Sequence, residues 1–171
     1  MTAVAMLWTV APLYAQTEAA GARNAVYVEL LGNGGVYSLN FDRRVGQEAA
    51  LRIGVGAWSA DDLFLGNEAS SSLVTLPVTA SWLPGTANGR PELGGGMLLG
   101  RRTRDEPFDG GSTSSTFASL TAILGYRYQP ASGGWMFRVA FTPFWGFGGE
   151  DEAYPDRGFT PSAGVSGGYT F

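Results

Sequence analysis

The chain has 171 residues, with 26 glycines, 13% aromatic and only 15% charged residues, a composition suited to one domain of many strands and turns. It has no cysteine and no histidine, which excludes a disulfide framework, zinc sites of the usual types and every catalytic arrangement built on imidazole. A formal net charge of −4, with eleven arginines and no lysine, argues against nucleic acid as a partner, because phosphate binding needs a basic stripe.

Residues 1–15 predict a signal peptide. Ala3 to Ala15 is an apolar run too short to span a bilayer as a helix, and Pro12-Leu13-Tyr14-Ala15 before Gln16 offers a cleavage site. Met1-Thr2 supplies no positive charge and Leu13 is large for the third position before the cut, so a buried amino-terminal helix is the alternative. No later segment approaches the ~18 uninterrupted apolar residues of a membrane helix.

Eight strands follow. The first, Ala25 to Leu31, and the second, Val36 to Arg44, flank Gly32-Asn33-Gly34-Gly35, and Asn-Gly between alternating runs is a strong hairpin signal. The third, Ala49 to Trp58, sets Leu51, Ile53, Val55 and Ala57 against Arg52, Gly54 and Gly56. The fourth, Ser72 to Leu83, carries Val74, Leu76, Val78, Ala80 and Trp82 on one face, and the fifth runs from Pro91 to Arg101. The sixth, Thr116 to Gln129, and the seventh, Gly134 to Phe147, alternate in the same way. In the eighth, Phe159 to Phe171, one face is apolar and the other small and polar, the period of two that a strand imposes.

Eight strands of about ten residues, each with one continuous apolar face, predict an all-β, eight-stranded antiparallel up-and-down transmembrane β-barrel. Residues 16–24 are then a short periplasmic lead and 25–171 the barrel domain. With both ends periplasmic, the turns at Val45 to Gln47, Pro84 to Gly89 and Pro130 to Gly133 are short. The connections Ser59 to Ser71, Arg102 to Ser115 and Gly148 to Gly158 are long and external, the asymmetry this class shows. Trp82, Tyr126, Tyr128, Trp135, Tyr169 and Phe171 face outward near the periplasmic rim, with Tyr37, Trp145 and Phe159 near the external one. Two such girdles suit a bilayer's two interfaces. A soluble lipocalin-like barrel would instead carry a charged outer face. Pro77 and Pro143 each predict a local bulge, because proline removes a ladder hydrogen bond.

Several segments resemble small, mostly uncharacterised outer-membrane β-barrel proteins of OmpA and OmpX type architecture. They are Val26 to Gly35, Tyr37 to Arg43, Gly125 to Pro130 and Phe137 to Pro143, together with the closing Tyr169-Thr170-Phe171. The resemblance implies the outer membrane of a Gram-negative-type bacterium, contact with its lipid, and recognition of the last strand by the barrel-assembly machinery. It is a resemblance of fold and carries no chemistry.

By strand parity Glu29, Asp42 and Glu92 point inward in the periplasmic half, as do Arg52, Arg127 and Arg138. Three acids and three bases at one level predict an ion-pair network that plugs the barrel, with a selectivity belt in a pore as the other reading. Above it the inward residues Gly56, Gly96, Leu98, Gly100, Thr121, Ala140, Thr142 and Gly164 leave room for a shallow external cavity. Ser119 and Ser162 read as small lumen residues with no base to activate them, and Gly94-Gly95-Gly96 as strand positions, not a phosphate loop. The acids of the external connections, such as Asp61, Asp62, Glu68 and Asp109, meet no calcium-loop spacing. The expectation is a monomeric, non-enzymatic barrel, without cofactor or metal, in a structural or surface-interaction role. The rivals are an OmpW-like barrel that binds or transports a small apolar molecule, and an enzyme with Asp42 or Glu29 as an unusual base.

Overall fold

A computed structural model describes residues 21–59, 71–105, 111–147 and 158–171. Alternation of aliphatic and small polar residues drives these segments into strands: β1 (Asn24–Gly32), β2 (Gly35–Val45), β3 (Ala49–Ser59), β4 (Ser71–Trp82), β5 (Gly89–Asp105), β6 (Ser112–Tyr128), β7 (Gly134–Phe141), β8 (Phe144–Phe147), β9 (Gly158–Thr160) and β10 (Ala163–Thr170). Every pairing is antiparallel. Each strand pairs with the next in sequence from β1 to β6; β7 and β8 both add to β6, β9 and β10 lie beside them, and β10 returns to β1. Segments β7 and β8 together form the seventh barrel strand, and β9 and β10 the eighth. The sheet is closed, and eight antiparallel strands surround one lumen. Residues 1–15, with the expected signal peptide, lie outside the described residues.

The two split strands correct the expectation of a bulge at Pro143. Phe141 pairs with Ala163 and Phe144 with Thr160, so the register continues unbroken and Pro143 stands opposite Pro161. No residue is inserted. The two prolines, neither with an N–H to donate, face each other and leave one rung of the ladder open. Backbone bonds on either side, Thr142 N to Ser162 O at 2.7 Å and Ala122 N to Pro143 O at 3.2 Å, hold the wall together. Pro77 likewise keeps its register, opposite Leu98, inside an unbroken β4. Strands β5 and β6 outrun their predicted ends: pairing continues to Asp105 opposite Ser112, which converts most of the expected loop Arg102 to Ser115 into sheet.

The burial of alternate residues divides outside from inside. Val26, Val28 and Leu30 on β1, Leu51, Ile53 and Val55 on β3, and Phe137, Val139 and Phe141 on β7 are all exposed, whereas buried polar and charged residues line the interior. A soluble protein reverses this arrangement. The girdle residues Trp82, Tyr126, Tyr128, Trp135, Trp145, Tyr169 and Phe171 stand on the outer surface. Trp135 meets Tyr169 edge-on at 6.1 Å, and Trp145 lies 5.4 Å from Phe159.

Candidate functional site in the barrel lumen

The structure brings Glu29, Asp42, Arg52, Glu92, Arg127 and Arg138 together inside the barrel, each no more than 3% exposed. They form a linear chain of alternating sign. Arg52 grips Glu29 with both terminal nitrogens, at 2.8 and 3.3 Å. Glu29 also accepts from Arg138 Nη1 at 2.5 Å, and Arg138 Nε donates to Glu92 at 2.7 Å. Glu92 accepts from Arg127 Nη2 at 2.7 Å, and Arg127 Nη1 reaches Asp42 at 2.9 Å. Ser81 Oγ adds a bond of 2.7 Å to Glu92. Three acids and three bases leave the chain neutral, which is the condition for keeping charge in a dry interior.

The register explains why the carboxylates are needed. Arg90 stands opposite Arg127, and Arg127 opposite Arg138, so three arginines share one row across β5, β6 and β7. Like charges directly opposite repel, and Glu92 between Arg127 and Arg138 reverses the sign of that contact. Asp42 lies opposite Arg52 in the ladder yet forms its ion pair with Arg127 on the far wall. Four of the five bridges join strands that are not ladder neighbours. They act as struts across the lumen.

A second set of buried contacts lies above this chain, and strand parity gives no sign of it. The β1–β2 connection turns inward: Asn33 is fully buried, and Gly32, Gly34 and Gly35 are buried beside it. Asn33 Nδ2 donates to Thr121 Oγ1 on the opposite wall at 2.6 Å, and Asn33 Oδ1 accepts from Arg52 at 3.2 Å. Thr75 Oγ1 donates to Gly34 O at 2.6 Å. Leu31, with φ 59°, reverses the alternation so that the next residue enters the lumen, and Gly35 takes φ 98° on the return. The space is tight: a Cβ at Gly164 would stand 2.6 Å from Gly32 Cα.

Apolar side chains gather towards the external end of the lumen. Leu73, Leu98, Phe117 and Phe144 form a buried apolar cluster with Trp58 packed against it. Gly100 does not leave a void there, since a Cβ on it would lie 2.1 Å from the Phe117 ring. Gly56, Gly96, Thr121, Ala140, Thr142 and Gly164 all face inward as parity requires, but side chains and the turned-in hairpin occupy the cavity they were expected to border.

Near the periplasmic end Arg90 donates to the carbonyls of Gln47 and Gly85 at 2.7 and 3.0 Å, and Arg44 to that of Ala22. The position of Arg90, two residues before Glu92, marks it as inward once β5 is extended to Gly89. Tyr27 is buried with the Arg52 guanidinium 5.8 Å from its ring centre. Outside the membrane-spanning strands, Glu48 accepts from Trp82 Nε1 and Gly85 N, which holds its carboxyl below the usual glutamate value. Ser119 is buried and Ser162 donates to Leu31 O; no group of three metal-ligating side chains occurs among the described residues. Asp61, Asp62, Glu68 and Asp109 lie outside them.

No family model matches the chain, and no curated protein matches it. Solved structures do. The N-terminal β-barrel domain of Pseudomonas aeruginosa OprF superposes with a TM-score of 0.52 at 17% identity, covering 88% of this chain and 99% of that one. Ail, the attachment invasion locus protein of Yersinia pestis, solved with the heparin analogue sucrose octasulfate, gives 0.54 at 12% identity with the same coverage. A second Ail structure gives 0.52 at 10% identity. At such identities the likeness is one of architecture, and the chain has the closed eight-stranded β-barrel fold of small outer-membrane proteins.

Proposed function

We propose that this protein is an outer-membrane barrel of structural or surface-interaction role, whose sealed lumen makes it a rigid, non-conducting support for its external connections. The observation that carries this reading is the unbroken chain of five ion pairs across the lumen, roofed by the inserted β1–β2 hairpin. An eight-stranded barrel has an interior that side chains alone can fill. A neutral, mutually bonded chain has no unpaired charge to offer a passing ion, whereas a selectivity belt presents charge to water. A non-enzymatic role fits a chain without histidine or cysteine in which Asp42 and Glu29 are both tied to arginines. Passage of a small apolar molecule through the upper lumen is disfavoured by the Phe117 and Phe144 cluster.

Planar-bilayer recording tests the reading. The parent protein is expected to show no stepwise conductance, and Arg138→Met to add little, because neighbouring side chains still fill the core. Large conductance in the parent, with altered ion preference in the variant and unchanged stability, would make the chain a selectivity filter and the protein a channel.

A further inference from the structure

The outer surface carries one feature that a uniform lipid-facing wall does not need. Across β4, β5 and β6, a groove of about 440 Å³ is bordered by Val74, Leu76, Leu99 and Ala118, with Arg101 and Thr116 at its external end. The sequence accounts for it. Ala118 is small and faces Leu99 directly.

The apolar band ends at this groove. On the outward face of β5, Leu93, Gly95, Met97 and Leu99 are followed by Arg101, which is exposed. Val74, Arg101 and Thr116 stand in one row across the three strands, and Ser72, Thr103 and Ser114 in the next row out. A guanidinium with Thr116 beside it and three hydroxyls in the next row out thus stands at the external end of an apolar slot. Thr103 and Ser114 hydroxyls are 3.2 Å apart and exposed or half-buried, open to a further partner. Among the described residues no carboxylate pairs with Arg101.

We infer that this groove is a binding site for an acyl lipid with an anionic phosphate headgroup, with a chain along Val74, Leu99 and Ala118 and the phosphate on Arg101. Arginine is suited to this role because its planar fork binds phosphate oxygens in pairs. The adjoining hydroxyls supply neutral donors for the remaining oxygens. The inference rests on the membrane reading above, and its test separates the two.

The full chain, refolded in detergent, is equilibrated with phosphatidylglycerol or phosphatidylcholine of matched acyl chains, and retained lipid is measured by native mass spectrometry. The parent is expected to retain phosphatidylglycerol about fivefold better, the worth of one cation near a headgroup. Arg101→Gln should abolish that preference, while Arg43→Gln, an outward arginine near the periplasmic rim, should leave it intact. Ala118→Phe should fill the slot and reduce retention of both lipids. Equal retention of the two lipids by the parent, or an unchanged preference in Arg101→Gln, would overturn the site. Displacement by glycerol phosphate without acyl chains would also overturn it, by showing a soluble-anion site. A chain that stays monomeric and soluble without detergent would defeat the membrane reading itself, a result distinct from unselective lipid retention.

Discussion

At the scale of single residues, position along the alternating chain decides what each charge is worth. Arg138 is bonded to Glu29 on one side and Glu92 on the other, so Arg138→Met leaves two buried carboxylates each short of a partner. A cost of about 3 kcal/mol is expected. Asp42 ends the chain, and its partner Arg127 keeps Glu92, so Asp42→Asn should cost only about 1 kcal/mol. Urea unfolding of both variants in lipid vesicles measures the difference, and equal losses would show that position along the chain does not set the cost. Glu48 answers to pH instead. Its carboxyl is depressed by the hydrogen bond from Trp82 and by that from Gly85 N, relative to an ordinary 4.5. A depressed carboxylate stabilises the folded turn at every pH above the ordinary value, and that contribution is lost as pH falls through its own lower value. The indole N–H resonance of Trp82 should therefore move with a midpoint below 4.5 and stop moving in Glu48→Gln. A midpoint at or above 4.5 would contradict the bond.

At the scale of elements, the inserted hairpin stands apart from the walls, and Leu31 is its test. A leucine at φ 59° sits where L-residues pay roughly 1–2 kcal/mol, against a loss of roughly 0.5–1 kcal/mol when glycine replaces another residue. Leu31→Gly should leave stability unchanged or raise it by up to about 1 kcal/mol, whereas Leu31→Val should lower it, because a branched Cβ is worse in that region. Equal effects of the two substitutions would mean that the backbone there is not the constraint. This hairpin also marks the limit of what the sequence makes legible. Period-two alternation is a local property, so the strands, their inward and outward faces and the six network residues can be read from it. The partner of each charge cannot, because Asp42 bonds across the lumen to Arg127 and not to Arg52 beside it. Alternation also stops at a turn: Asn33-Gly34 signals a hairpin, but nothing local tells whether it points to solvent or into the barrel. Pro143 misleads for a related reason, since its match with Pro161 is a property of the pairing and not of either strand.

At the scale of the whole molecule, the closed sheet turns its apolar faces outward all the way round. Trp135 is 68% exposed, Leu124 60% and Phe137 56%, and they belong to a continuous band and not to isolated patches. Soluble monomers rarely expose contiguous apolar areas beyond a few hundred Å². The band can be stable only against hydrocarbon, where the closed ladder leaves no strand edge to satisfy. The seam that closes it is doubly bonded, Asn24 N to Phe171 O at 2.9 Å and Phe171 N to Asn24 O at 2.8 Å. Detergent does not open such a cylinder, because the antiparallel ladder closes on itself and the ion-pair struts brace it from inside. An unheated sample in dodecyl sulfate should therefore remain compact and migrate faster on a gel than a boiled one. The faster band should resist protease, and it should form only after refolding into detergent or lipid. Recovery of a folded, soluble monomer from detergent-free buffer, with one gel mobility before and after boiling, would overturn the transmembrane barrel.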